Sequence, residues 1–114
     1  YKDMLKVGGE NVSPAEIEAR LMTLVGVGAV AIVGYPDPRL HEVAVAYIVH
    51  SAEGQLTEED VLDSLRGEVA SFKIPRHVLF VDEFPMTPSG KVQKVKLRAD
   101  ALEKLGDPNQ VAAS

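Results

Sequence analysis

The stretch EVAVAYIVH, residues 42–50, is apolar on both faces that an extended chain presents. Val43, Val45, Tyr47 and Val49 fall on one side, and Ala44, Ala46 and Ile48 on the other. A half-buried strand alternates apolar with polar residues. This one does not, so it is expected at the centre of a sheet, and any fold for the chain must be built around it. The valine-rich run VGAVAIVGY, residues 27–35, predicts a second buried strand, and HVLFV, residues 77–81, a third. Between the first two lies PDPRLHE, whose two prolines mark a turn.

Three helices are predicted around these strands. In SPAE, Ser13 is a good N-cap, Pro14 suits the first helical position, and Glu16 is expected to close a capping box. Ile17, Leu21, Leu24 and Val25 follow at helical spacing, which predicts a helix over 14–24 that Gly26 and Gly28 stop. In TEED, Thr57 caps a second helix and Glu58, Glu59 and Asp60 occupy the first turn, where the helix dipole favours acids. Its buried stripe is read as Val61, Leu62, Leu65 and Val69, with FKIP ending it because the residue before Pro75 is biased to extended geometry. The last helix is expected over 95–105, with Leu97, Ala101, Leu102 and Leu105 on one face and Gly106 and Pro108 beyond it. Ahead of the first helix, MLKV, Gly8-Gly9 and ENV read as a tight β-hairpin. The fold class is therefore α+β: an N-terminal β-hairpin and a central sheet of about three strands, packed by about three helices. The domain is expected to occupy residues 1–106, with 107–114 a frayed tail.

Composition narrows the function classes. A length of 114 residues suits one domain with a modest core. A net charge of −5 argues against a nucleic-acid module. There is no cysteine, so neither a disulfide framework nor a thiolate metal site is expected, which fits a cytoplasmic location. No apolar run approaches the length of a membrane span, and no signal peptide is visible. The chain opens on Tyr1 rather than Met, as expected of a piece of something longer or of a processed chain.

The residue that most invites a chemical reading is Lys91, in PMTPSGKVQK, residues 85–94. It is not a phosphate-loop lysine. That pattern needs a glycine five positions before Gly90, where Pro85 stands, and a hydroxyl after the lysine, where Val92 stands. Taken alone, the local pattern favours a solvated turn over an anion contact. His41, His50 and His77 show no ligand spacing and are expected at the surface, so no metal site is assigned. Asp82 and Glu83 sit at a strand end with nothing to mark them as an acid–base pair, and Arg39 and Arg76, each beside a proline, read as turn residues.

Two stretches taken together say more than either alone. KDMLKVGGENVSPAEIE and FVDEFPMTPSGKVQK, in that order, resemble the small C-terminal domain of the adenylate-forming superfamily, and its acyl-CoA synthetases (fatty-acid–CoA ligases) in particular. The resemblance runs from Tyr1 to about Leu105. It implies a ligase that turns a carboxylic acid and ATP, with Mg2+, into an acyl-adenylate and then passes the acyl group to coenzyme A. It also implies that the large N-terminal adenylation domain is the partner of this one. By the same resemblance Lys91 is the adenylation lysine and Lys2 the hinge. Gly8 and Gly9 would lie along the pantetheine tunnel, and Lys6 would be a contact of the thioester-forming pose, with an exposed strand lysine as its equal alternative. The family's arginine step before the hinge would fall upstream of Tyr1, so the chain alone is expected to be inactive and to hold no cofactor. A protein lysine acetyltransferase acting on Lys91 is a further implied partner. Two alternatives stay open: a free-standing anion-binding or interaction module of the same fold, and a ligase domain that uses a carrier-protein thiol.

Overall fold

A computed structural model describes residues 3–106; Lys2 and the tail at 107–114 lie outside the described residues. Five strands, β1 (Leu5–Val7), β2 (Glu10–Val12), β3 (Val27–Asp37), β4 (His41–His50) and β5 (His77–Phe80), form one sheet. Three helices, α1 (Pro14–Leu21), α2 (Glu58–Leu65) and α3 (Lys94–Leu105), and a short 3-10 turn at Ser71–Lys73 complete the chain. The expected α+β class, with its N-terminal hairpin and three-stranded centre, is what the structure has.

β4 is the centre because both its edges are taken. β3 pairs antiparallel along its whole length, from Val27↔His50 to Asp37↔His41. On the other edge β1 meets it at Val7↔His41, and β5 runs parallel to it from Val45↔His77 to Ile48↔Phe80. Both faces are covered as well. Ala44, Ala46 and Ile48 join Ile32 and Val78 against Ile17 and Leu21 of α1 and Val61 and Leu65 of α2. Val43, Val45 and Tyr47 join Ala31, Val33 and Tyr35 against Leu97 and Ala101 of α3. The result is three layers with β4 in the middle. Burying one such aliphatic side chain stabilises by roughly 1.5–3 kcal/mol.

Two tyrosines fix α3 to its face of the sheet. Tyr47 is fully buried, and its hydroxyl lies 2.6 Å from Asp100 Oδ2 and 3.1 Å from the Leu97 carbonyl. Burial, and then the hydrogen bond and charge of Asp100, push this phenol well above its ordinary range. Near the far end of the helix, the Tyr35 hydroxyl lies within hydrogen-bond reach of the carbonyls of Leu105 and Gly106, which share its one proton. Elsewhere, carboxylates take strand N–H groups: Glu18 from Ile32 at 2.9 Å, Glu42 from Lys6 at 2.8 Å and Glu58 from Val78 at 3.2 Å. Glu42 acts inside the sheet, between β4 and β1, whereas Glu18 and Glu58 cover N–H groups of the outer strands β3 and β5, a common guard against stray pairing.

Several local expectations are corrected. α1 ends at Leu21 rather than 24, because its last turn tightens: Thr23 N and Leu24 N donate to carbonyls only three residues back. Ser13 does cap it, accepting from Glu16 N at 3.4 Å, but the Glu16 carboxylate turns to Lys73 at 3.0 Å. The reciprocal capping box belongs to α2, between Thr57 and Asp60. α2 stops at Leu65, and Gly67 at φ +80 turns the chain, so Val69 packs on the core from outside the helix. His50 and His77 are half-buried rather than solvated. His50 stacks on Phe80 at 4.4 Å, and His77 meets Tyr35 edge-on at 5.7 Å.

Removing the Tyr47 hydroxyl should therefore loosen α3. We expect Tyr47→Phe to lower unfolding stability by about 1–2 kcal/mol with an unchanged slope in urea. The sign of the pH effect follows from the raised pKa: the folded state keeps a proton that the unfolded state releases above about pH 10, so stability falls as pH rises past that point. The phenylalanine variant should show a flatter alkaline limb in the same titration.

Candidate functional site: a lysine on a braced hairpin

Lys91 stands on a hairpin of its own, made by residues 85–93. Met86 pairs with Val92 in an antiparallel bridge, and Gln93 N donates to the Pro85 carbonyl at 2.8 Å. Further out, Thr87 N donates to the Lys91 carbonyl at 2.8 Å and Gly90 N to the Thr87 carbonyl at 2.9 Å. Residues 87–90 thus form a β-turn, with Pro88 pre-setting φ at its second position and Gly90 in the left-handed region at φ +89. A Cβ on Gly90 would meet nothing within 4 Å, so glycine is required there by backbone conformation and not by crowding. The Thr87 hydroxyl accepts from Lys91 N at 3.0 Å and lies 3.0 Å from Ser89 Oγ, bracing the tip from inside. Lys91 is exposed, and among the described residues its ammonium has no hydrogen-bond or ion-pair partner. A stiff backbone therefore carries a free point charge, which suits contact with an anion from outside the domain.

The glycine hairpin lies elsewhere. β1 and β2 pair as Leu5↔Val12, Lys6↔Asn11 and Val7↔Glu10, leaving a two-residue turn with Gly8 at φ +56 and Gly9 at φ +89. Both angles call for glycine, as in the type I′ hairpin. Gly8 also donates its N–H to the Leu40 carbonyl at 2.8 Å, and a Cβ there would come within 3.1 Å of the Leu40 side chain. Leu40 is itself held by Asp37, whose carboxylate accepts from the N–H groups of Leu40 (2.8 Å) and Arg39 (2.9 Å). Those two bonds, and the nearby Arg76 guanidinium, keep the Asp37 carboxyl below the usual carboxylate range. Around Gly9 a Cβ would meet open space. Lys6 projects from the exposed position of β1 and reaches Asn11 Oδ1 at 3.2 Å.

These features do not converge. Gly8 packs at the His41 end of β4, through Val7↔His41 and Leu40. The lysine hairpin borders the other end: Met86 and Val92 share a cleft with Ala29, Val30 and Val49. The 10 residues of β4 separate the two, roughly 30 Å of extended strand.

The family model that describes the AMP-binding enzyme C-terminal domain matches residues 16–91, ending on Lys91 itself. This chain belongs to that family. It is 48% identical over 99 residues to a methyl-dioxo-octahydroindenyl-propanoyl:CoA ligase of Rhodococcus jostii, covering 87% of this chain and 19% of that protein. Among solved structures, apo MatB from Rhodopseudomonas palustris superposes with a TM-score of 0.84 at 39% identity, over 88% of this chain and 20% of that one. A Mycobacterium tuberculosis fatty acyl CoA synthetase gives 0.80 at 37% identity, over 87% and 20%. The chain thus spans about one fifth of the length of the relatives it matches, as a C-terminal domain of AMP-forming acyl-CoA synthetases would.

Within this AMP-binding enzyme C-terminal domain, sequence reasoning missed Thr87 and Lys94. Thr87 carries a detectable signal, since a threonine four residues before a lysine in T-P-S-G-K is a hydroxyl–turn pattern. Lys94 does not, because its partners, Asp3 and Glu18, come from the opposite end of the chain. Replacing Thr87 with Val should leave the fold intact and free the Lys91 amide. Hydrogen exchange at that amide is expected to quicken about tenfold, the equivalent of one lost hydrogen bond.

Proposed function

We propose that the chain is the mobile C-terminal domain of an ATP-dependent carboxylate–CoA ligase and that it serves two successive reactions with its two ends. In the first, a carboxylate oxygen of the acid attacks the α-phosphorus of ATP. The new O–P bond replaces the bond to the β-phosphate, and pyrophosphate leaves. In the second, the thiol of coenzyme A loses its proton and attacks the acyl carbon, the acyl–oxygen bond breaks, and AMP leaves with its electron pair.

Lys91 belongs to the first step. The acid is already ionised near neutral pH, so no general base is needed. The obstacle is repulsion between carboxylate and phosphate and the charge that grows on the phosphoryl oxygens. A cation about 4 Å away in a partly desolvated cleft offsets this by about 4 kcal/mol, and preorganised charges of this kind commonly supply the largest catalytic effect. Gly8 and Gly9 belong to the second step, lining the path of the slim pantetheine arm, with Lys6 beside them. The observation that carries this reading is the separation of the two along β4. Two functional ends so far apart cannot serve one reacting centre at once, so the domain must rotate, and Lys2 is the hinge we assign.

The acid and ATP pockets are assigned to the N-terminal adenylation domain, and the isolated chain is expected to be inactive. Mg2+ enters as the counter-ion of substrate ATP. Among the described residues no group of three or more His, Asp or Glu side chains is placed to hold a metal, and no helix there is long and apolar enough to cross a membrane. The exposed Lys91 is also a candidate for a protein lysine acetyltransferase. Acetylation would remove its charge and stop adenylation alone.

The test is pyrophosphate release by the full-length ligase over a panel of fatty and aromatic acids, beside its Lys91→Ala variant. Adenylation is expected to fall roughly 10²–10³-fold, while conversion of supplied acyl-adenylate to thioester survives. Unchanged adenylation would make Lys91 a turn residue and the domain a non-catalytic module. Enzyme acetylated at Lys91 should reproduce the alanine phenotype in both half-reactions.

A further inference from the structure

We infer that Lys94 is a positioning residue, whose ammonium lashes the segment at the hinge to the base of the lysine hairpin and so sets where Lys91 stands during adenylation. This rests on the reading of Lys91 and Lys2 above.

Lys94 is the first residue of α3 and stands three residues after Lys91. Its Nζ bridges Asp3 Oδ2 and Glu18 Oε2, the latter at 2.8 Å. Asp3 directly follows Lys2 in the chain. Glu18 is a fixed post: it projects from α1, and the same Oε2 accepts from Ile32 N of β3 at 2.9 Å. The lysine side chain is 21% exposed and that of Glu18 23%, the most sheltered ion pair among the described residues; Arg20–Glu68, by contrast, is 47% and 60% exposed. A sheltered pair is screened less by salt and holds its geometry better than a surface one.

The placement works against helix stability, which points to a reason beyond stability. A lysine at the first helical position opposes the helix dipole. Nothing else in the sequence relieves it: Gln93 gives no side-chain cap, the first turn holds no acid, and Lys96 and Arg98 follow. The missing negative charge is supplied by Glu18 and Asp3 across the fold. The connection to the hairpin is short and stiff, since Lys94 N donates to the Val92 carbonyl at 3.1 Å and Gln93 N to the Pro85 carbonyl at 2.8 Å. A path of bonded groups therefore runs from Asp3 through Lys94 to the hairpin that carries Lys91. Rotation about Lys2 moves Asp3 relative to the neighbouring domain, and the lash makes the hairpin follow that segment without slack.

The experiment uses the full-length ligase with Asp3→Asn, Lys94→Met, Lys94→Arg and, as reference, Lys91→Ala. Each half-reaction is assayed separately, and each protein is melted. Asp3→Asn and Lys94→Met are expected to lower adenylation ten- to a hundredfold, the scale of an ångström-sized misplacement. Thioester formation from supplied acyl-adenylate should stay within about twofold of the parent, because the lash acts on the lysine hairpin and leaves the Gly8–Gly9 turn held by Leu40. Lys94→Arg should restore most of the loss, as a guanidinium also spans two carboxylates. Asp3 is half exposed, so Asp3→Asn should leave the melting temperature unchanged and separates positioning from folding. If Lys91→Ala abolishes adenylation while Asp3→Asn and Lys94→Met leave it intact, the inference fails and the reading of Lys91 stands. If both half-reactions and the melting temperature fall together in Lys94→Met, and Asp3→Asn is silent, Lys94 is a structural residue and the inference fails. If Lys91→Ala itself leaves adenylation intact, the functional reading is what has failed.

Discussion

The rest of this structure depends on β4 being buried on both faces. A strand with valines and a tyrosine on one side and alanines and an isoleucine on the other cannot leave either side in water. Two helical layers must therefore form, and Ala44 and Ala46 share one core with residues of α1 and α2. On the opposite face the larger Tyr47 reaches through the layer to Asp100 and the Leu97 carbonyl, so one side chain both fills the core and fixes the helix laid over it. A buried phenol without a partner would be costly, and α3 is the element that provides one.

That scaffold explains how a small domain can hold both of its hairpins stiffly. The lysine hairpin leads straight into α3, and α3 is held by Tyr47, by Tyr35 and by the Lys94–Glu18 pair. The glycine hairpin is held by Leu40, which Asp37 fixes in the β3–β4 turn. The two hairpins thus hang from opposite ends of the same central strand. A rigid body with two distant ends suits a domain that turns as a unit better than one that flexes internally.

Much of this was legible in the sequence because the signals are local. Apolar residues at both odd and even positions of 42–50 gave the two buried faces of β4. Ser13-Pro14 gave the start of α1, and Gly8-Gly9 gave the hairpin turn, since φ angles and caps are decided within a few residues. Errors fell where local signals compete with packing. Val69 has helical spacing from Leu65, yet Gly67 turns the chain before it. Glu16 matches a capping box, yet an ion pair with Lys73, 57 residues away, takes its carboxylate instead. His50 and His77 look like surface residues by their isolation in sequence, but each finds an aromatic ring from another element.

The candidate site divides the same way. The sequence by itself determined which residues are candidates for chemistry: a lysine after a left-handed glycine and two glycines in a turn, within motifs that mark the AMP-binding enzyme C-terminal domain. These are properties of short segments, whose backbone preferences and side-chain charges are fixed by composition. Only the tertiary structure decided that Lys91 has no partner of its own among the described residues, that the glycines lie a strand's length away, and that Lys94 joins Asp3 to Glu18. Each of these is a distance between residues far apart in the chain. Such distances are set by how layers pack on β4, which no local pattern encodes.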